Sequence, residues 1–381
     1  MLKSEKTGTD LLLAWYRENK RPLPWREDPS PYHVWLSEIM LQQTRIEAVL
    51  DYYRRFLQEV PDIAALSSID DERLMKLWEG LGYYSRARNL KKAAVLIMKD
   101  YGGRMPADYE SLLALPGIGS YTAGAISSIA FGKRQPAVDG NVLRVLSRMY
   151  GDERDISLQK TRNAVRKELL SGVLPLLPDD PALCGDFNQA LMELGEVICL
   201  PNGAPRCGIC PFKGLCLAHT AQRESDFPVK SKAKERKSEE RTILLITDEG
   251  RLVLCKRPDK GLLAGLYEFV NLKGKLSREE TMQWLKDAGL RVLHMEPLPP
   301  AKHIFSHIEW HMTGFDVQVE DAGAVSREDL SFVIADRGEA EERYPLPGAY
   351  KRYLAYYREQ LCADKVDERR IADHGTSGKI T

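Results

Sequence analysis

The sequence predicts a multidomain chain, with an all-α domain over residues 1–218 and an α+β domain over residues 241–362. Three observations carry that prediction. Apolar residues recur at helical spacing through residues 10–218, as in Val34-Trp35-Ile39-Leu41, Leu74-Leu77-Trp78-Leu81 and Leu90-Ala93-Ala94-Ile97. From Arg241 the pattern changes to strands, with Thr242–Ile246 and Leu252–Cys255 flanking an Asp248-Glu249-Gly250 turn. Between the two patterns, four of the chain's seven cysteines crowd into residues 199–216. A length of 381 residues allows two or three domains. Contents of 43% hydrophobic and 8% aromatic residues are those of a folded chain.

In the first domain the helices are separated by Pro22-Leu23-Pro24, Gly102-Gly103, Pro116-Gly117 and the stretch Pro175 to Pro181. Residues 219–240 read as a polar linker, and its basic run Lys230–Lys237 reads first as solvation and second as a nucleic-acid contact. A helix is expected over 277–288, where Ser277 and Glu280 suit a capping box. Another strand is expected at Phe315–Val319, and the tail 363–381 is polar. No internal repeat is evident. No apolar run approaches the roughly 20 residues of a membrane span, and the N-terminal residues lack the plan of an export signal. The 55 basic and 55 acidic side chains balance, which argues against a partner held by long-range attraction to phosphates.

The cysteine cluster reads C-x7-C-x2-C-x5-C through Cys199, Cys207, Cys210 and Cys216. Four thiolates this close suit a soft metal centre, either an iron–sulfur cluster or a tetrahedral zinc. Disulfides would be strained in so short a loop. One C-x2-C with long, unequal arms fits a cubane cluster better than paired zinc knuckles. Cys184, Cys255 and Cys362 read as ordinary thiols.

The most specific segment is Leu115-Pro116-Gly117-Ile118-Gly119-Ser120-Tyr121-Thr122-Ala123. A short loop with two glycines opens directly into a helix beginning near Ser120. Its N–H groups, with Gly117 and Gly119 allowing close approach, form an anion site that suits a DNA phosphate. The bland alternative is a tight helix–helix turn.

This hairpin, Val138-Asp139-Gly140-Asn141 some twenty residues on, and the four cysteines resemble the helix-hairpin-helix DNA glycosylase superfamily, and within it the adenine DNA glycosylases. Leu23-Pro24-Trp25-Arg26, Trp35 to Thr44 and Trp78 to Arg86 extend the resemblance over about residues 20–217. The C-terminal domain is similar to a Nudix-related domain, through Gly261 to Phe269 and Phe305-Ser306-His307. One departure is the first cysteine gap of seven residues, where the family usually has six.

The resemblance implies hydrolysis of the N-glycosidic bond of adenine opposite 8-oxoguanine or guanine, by one chain acting as a monomer on duplex DNA. It implies no membrane, a cytoplasmic, nucleoid-associated location and one 4Fe–4S cluster on the four cysteines. The chemistry needs an everted base, an acid for the leaving purine and an anion beneath the developing oxocarbenium ion. Glu38 shares a mostly apolar helix face with Val34, Trp35 and Leu41, which would raise its pKa and fit it as the acid. Asp139 fits the anion; its place before the helical run Val142–Leu146 should lower its pKa, and it also suits a plain helix cap. Tyr121 stands where lyases of the superfamily carry a Schiff-base lysine, and a phenol cannot form that adduct. Water should therefore complete the reaction, and the resemblance implies that Tyr121 and Asn141 stand beside Asp139.

Gln43 and Tyr83 match residues that wedge into the base stack. Trp25 and Arg26 match an adenine pocket, and Arg86 a contact to DNA backbone or pocket. Gly117, Gly119 and Ser120 would hold phosphate. Phe305, Ser306 and His307 match a loop that senses 8-oxoguanine, the hydroxyl and imidazole reading its N7–H and O8. The helix at 277 lacks the acidic pattern of a hydrolytic Nudix box, so recognition without hydrolysis is expected. His303, His307 and His311 are spaced by four, but their apolar neighbours keep no single helical face, which disfavours zinc there. The rival readings are a thymine-mismatch glycosylase, an endonuclease III-like lyase and a non-catalytic lesion-binding module.

Overall fold

In the computed structural model, residues 7–231 and 235–359 are described. They form two compact units. The first takes residues 7–69 and 85–231, and the second takes residues 70–84 and 235–359. The short segment 70–84, helical in the sequence reading, thus belongs with the C-terminal half. The tail 363–381 and Cys362 lie outside the described residues.

The first unit is helical. One of its cores joins the helices Gly8–Asn19, Gly140–Tyr150 and Cys184–Val197 through Leu12, Tyr16, Leu143, Leu146, Phe187 and Leu191. The helix Pro31–Met40 starts on a proline at its first turn and is buried from Val34 to Met40. Gly140–Tyr150 is bounded by an Asp139 cap at its start and by Gly151 in the left-handed region (φ 63°) at its end. The predicted hairpin runs from the helix Tyr109–Leu113 to the helix Ser120–Ala125, which continues as one π-turn over Ile126–Ala130. Gly117 (φ 77°) allows the turn, and a Cβ there would lie 2.7 Å from Cβ of Asn89.

The first part of the expected linker is docked on this unit. Phe227 is buried, Val229 accepts a hydrogen bond from the Ile156 N–H at 3.1 Å, and Ser231 bonds to Asp155. Among the described residues, no helix is long and apolar enough to cross a membrane.

The second unit is an eight-stranded mixed sheet: β1 Lys237–Asp248, β2 Arg251–Lys256, β3 Tyr267–Glu268, β4 Val270–Lys273, β5 Val292–Pro297, β6 Ala301–Ile304, β7 Ile308–Val319 and β8 Ser331–Asp336. β1 runs parallel to β7 and antiparallel to β2 and β4. β5 and β6 pair with β7, and β8 pairs with β2. Gly314 faces Ile243 across the parallel pair, and a Cβ would fall 1.8 Å from the Ile243 carbonyl oxygen, so only glycine fits. The expected β1–β2 hairpin forms with Asp248 opposite Arg251 and a two-residue turn at Glu249 and Gly250. One sheet face buries aliphatic side chains beneath the helix Arg278–Asp287, which begins with the expected capping box at Ser277 and Glu280. The other face is aromatic, with Tyr344, Tyr350, Tyr353 and Tyr357 over Trp310 and Phe269.

Candidate active site and cysteine centre

In the first unit a cavity of about 420 Å³ gathers side chains distant in sequence. Glu38 enters from Pro31–Met40, Tyr121 from the helix after the hairpin, and Asp139 and Asn141 from the start of Gly140–Tyr150. Trp25 and Arg26 come from the short helix Pro24–Glu27, and Gln43 from the turn after Met40.

Glu38 is 8% exposed, and burial pushes its carboxyl up to about 7. The Tyr121 hydroxyl donates to Glu38 Oε2 at 2.5 Å and opposes the rise; the charge of Asp139 adds to it, and Arg26 opposes it. That hydroxyl also lies 3.0 Å from the Met192 sulfur. Asp139 corrects one expectation. It does cap its helix, accepting from the Val142 N–H at 2.7 Å, and it also accepts from Asn141 Nδ2 at 3.0 Å. Yet its pKa is raised, because burial outweighs the Val142 bond, the guanidiniums of Arg144 and Arg162, and Asn141. The helix terminus moderates this shift without reversing it.

The two carboxyls still differ. Asp139 accepts two N–H bonds beside two guanidiniums, whereas Glu38 accepts one hydroxyl and faces one guanidinium. When the pair holds a single proton, this pattern puts it on Glu38 and the charge on Asp139.

Arg26 is fixed in the wall. Its Nη2 donates to Glu193 at 2.7 Å and its Nη1 to the Arg21 carbonyl at 3.0 Å. Arg21 binds the same carboxylate at 2.5 Å. Burial would raise the Glu193 pKa, but the two guanidiniums more than offset it and hold it below the usual range. Trp25 is buried, with its ring edge-on to Tyr53 at 5.2 Å. Sequence reasoning missed Glu193, Arg21, Arg162 and Met192, all lining this cavity. No motif flags them, since each is an isolated residue on a helix or loop.

Gln43 is exposed and takes a left-handed φ of 59°, a strained state for a non-glycine residue. Arg86, matched in sequence to a contact with DNA backbone or pocket, supports it from within the fold. It is buried, and Nη1 donates to the carbonyls of Ile39, Met40 and Gln42 at 2.7–2.8 Å. Those carbonyls end the Glu38 helix and begin the Gln43 turn, so Arg86 is a positioning residue for both. At the hairpin, Gly119 has φ −92°, an ordinary value, and a Cβ there would meet only open space. Ser120 follows as the first helical residue.

The remaining sequence-predicted residues lie in the second unit. Tyr83 has φ 47° and is 46% exposed, and its hydroxyl is 3.0 Å from Ser306 Oγ. Phe305, Ser306 and His307 form the β6–β7 connection, closed by the Phe305 N–H donating to Ile308 at 2.8 Å. Ser306 and His307 are exposed at its tip, while Phe305 is half-buried against Trp310. The histidine triplet makes no helical face: His303 packs on Phe305, and His311 pairs with Glu309 at 2.7 Å.

Cys199, Cys207, Cys210 and Cys216 line one small cavity with Arg148 and Lys213. Arg148 Nη1 donates to Cys199 Sγ at 3.3 Å, and none of the four is in a disulfide. Burial, then the Glu224 carboxylate and the neighbouring sulfurs, push Cys207 up to about 11, and burial with the neighbouring sulfurs pushes Cys210 up to about 12, so these two thiols ionise only beside a compensating cation. His219 and Glu224 pair at 2.6 Å beside Cys207 at the rim. An all-sulfur donor set with a guanidinium against it fits an iron–sulfur centre.

Family models place this geometry among known proteins. The HhH-GPD superfamily base excision DNA repair protein model matches residues 36–171, and the NUDIX domain model matches residues 241–356. An adenine DNA glycosylase of Mus musculus is 36% identical over 373 residues, covering 82% of this chain and 71% of that protein. One from Buchnera aphidicola subsp. Acyrthosiphon pisum is 34% identical over 305 residues, covering 80% and 84%. A thermostable thymine-DNA glycosylase structure superposes with TM-score 0.50 and 30% identity, covering 56% of this chain and 95% of its own.

Proposed function

The chain belongs to the adenine DNA glycosylases of the HhH-GPD base excision repair superfamily and is a monofunctional DNA glycosylase, and from that premise we propose that it releases adenine mispaired with 8-oxoguanine. The observation that carries the proposal is the pairing of Glu38, protonated to about pH 7, with a better-supported Asp139 in one cavity.

Glu38 gives its proton to N7 of the everted adenine. The C1′–N9 bonding pair then leaves with the base. Asp139 stabilises the positive charge developing on the sugar, with Asn141 and Tyr121 holding the two carboxyls in place. Water adds at C1′ and loses a proton to the carboxylate left on Glu38, giving free adenine and an abasic site. Tyr121 offers no amine, so no Schiff base forms and the strand stays intact. Trp25 and the Arg26–Glu193 pair wall the purine site. Gly117, Gly119 and Ser120 hold backbone phosphate, Gln43 and Tyr83 open the stack, and Ser306 and His307 read the opposite base. Cys199, Cys207, Cys210 and Cys216 would hold a 4Fe–4S cluster. When bound, such a cluster supplies a rigid, redox-capable anchor for the loop carrying Arg206 and Lys213.

Single-turnover base release from duplexes carrying A opposite 8-oxoguanine, A opposite G and T opposite G tests the reading. Adenine release, fastest opposite 8-oxoguanine and abolished by Glu38→Gln, is the expected result. Thymine release or a borohydride-trapped adduct overturns it. Zinc without iron in the purified protein overturns the cluster assignment.

A further inference from the structure

Trp310 is wholly buried on β7 and lies opposite His303 of β6. Its indole Nε1 has no hydrogen-bond partner, so its ring faces and edges do the work. Phe305 meets it edge-on at 4.9 Å and 74°. The guanidiniums of Arg241 and Arg257 lie 4.9 Å and 5.8 Å from the ring centroid, both within cation–π range, and Arg257 is the one tied to the buried carboxylate of Glu268.

Arg257 is itself immobilised. Its Nη1 donates to both oxygens of Glu268 at 2.7 Å, its Nε to the Leu262 carbonyl at 2.8 Å, and its N–H to the Leu266 carbonyl at 2.8 Å. Glu268 is 8% exposed and also accepts from Asn271 Nδ2 at 3.0 Å and from the Tyr350 hydroxyl. Buried ion pairs of this kind add little net stability over an apolar filling, and fixing one geometry is their best-attested use. Here the geometry being fixed leads outward, from carboxylate to guanidinium to indole to Phe305.

The turn beyond Phe305 has no slack. With the Phe305 N–H bonded to the Ile308 carbonyl, Ser306 and His307 are the two residues between, and a shift of the Phe305 ring moves both.

We propose that Glu268, Arg257 and Trp310 form a positioning relay that sets the height of the Phe305-Ser306-His307 turn, so that selectivity for the opposite base depends on buried residues that never touch DNA. The proposal rests on reading that turn as the opposite-base sensor.

The test uses the full chain carrying Trp310→Leu, Trp310→Phe, Arg257→Met or Arg257→Lys, with Ser306→Ala as reference. The readout is the ratio of single-turnover adenine release opposite 8-oxoguanine to that opposite G, alongside the thermal midpoint. Trp310→Leu and Arg257→Met should lower the ratio roughly fivefold, the order of one hydrogen bond, with release opposite G unchanged. Trp310→Phe should restore most of it, because a ring still meets Phe305. If Trp310→Leu does not fold, Arg257→Lys decides, since it keeps the charge and loses the Nε bond to Leu262 and the planar group near the indole; it should lower the ratio. An unchanged ratio in folded variants, or equal loss on both duplexes, overturns the relay. If Ser306→Ala itself leaves the ratio unchanged, the sensor reading fails instead, whatever the relay variants do.

Discussion

The cavity around Glu38 and the turn at Phe305 solve opposite problems. In the cavity, titratable groups are taken out of water: burial raises both carboxyls and brings Glu38 to about 7, while Asp139 has the richer set of N–H donors and guanidiniums. At the turn, Ser306 and His307 stay in water and only the aromatic foot, Phe305, is buried. A group that must move a proton gains from desolvation, which sets its pKa. A group that must read a base gains from exposure on a rigid mount, because its hydrogen bonds must be open to a partner. Damage in the first region should therefore appear as lost rate on every substrate, and damage in the second as lost discrimination.

The sharpest way to break that contrast is Glu38→Gln. Removing the acid should reduce adenine release by roughly 10²–10⁴-fold opposite 8-oxoguanine and opposite G alike, measured in single turnover. A loss confined to one duplex would mean that the cavity also discriminates. Next in size is Arg86→Met, which removes the guanidinium that ties together three carbonyls at the end of the Glu38 helix. A cost of about 2–4 kcal/mol in chemical denaturation is expected, with release falling on both duplexes.

The pH dependence sharpens the same comparison. Burial raises the Glu38 pKa to about 7, so the proton that the proposed mechanism delivers to N7 is present below that value and is lost as the pH rises through it. The release rate should fall by up to about tenfold per pH unit above neutrality. Stability follows the same sign. The folded state holds a proton that the unfolded chain releases near the ordinary Glu value, so this contribution is full below that value and is lost as the pH rises through about 7. Denaturation at pH 6 and 8 should show the wild-type chain losing stability and Glu38→Gln losing less of it.

The sequence carried these regions unequally. Glu38 was readable because its apolar neighbours share its helix face, and the Asp139 cap because Asp-Gly-Asn precedes a helical run. The direction of the Asp139 pKa was not readable. It depends on burial beneath elements far along the chain, and local sequence reports only the helix terminus that opposes it. Glu193 escaped notice because its meaning lies in Arg26, 167 residues earlier. Arg86 was read as a contact to DNA backbone or pocket, and its guanidinium also serves carbonyls of its own chain, which local sequence does not report. In the second unit the β1–β2 hairpin and the capping box are local and were foreseen. The parallel β1–β7 pairing and the place of segment 70–84 are long-range and were not.

Ser306→Ala should give the smallest effect and the most pointed one. Its hydroxyl is at a turn tip, 3.0 Å from the Tyr83 hydroxyl, and its removal opens no core cavity. One neutral hydrogen bond to the opposite base corresponds to about 0.5–1.5 kcal/mol, a factor of roughly 2 to 13. Release opposite 8-oxoguanine should fall by that factor while release opposite G, which offers no N7–H or O8, holds steady. The thermal midpoint and the pH profile should be unchanged, because Ser306 is not among the groups that shift the Glu38 carboxyl. If the pH profile moved with this substitution, the two regions would not be separable, and the division between a buried proton donor and an exposed reader would have to be abandoned.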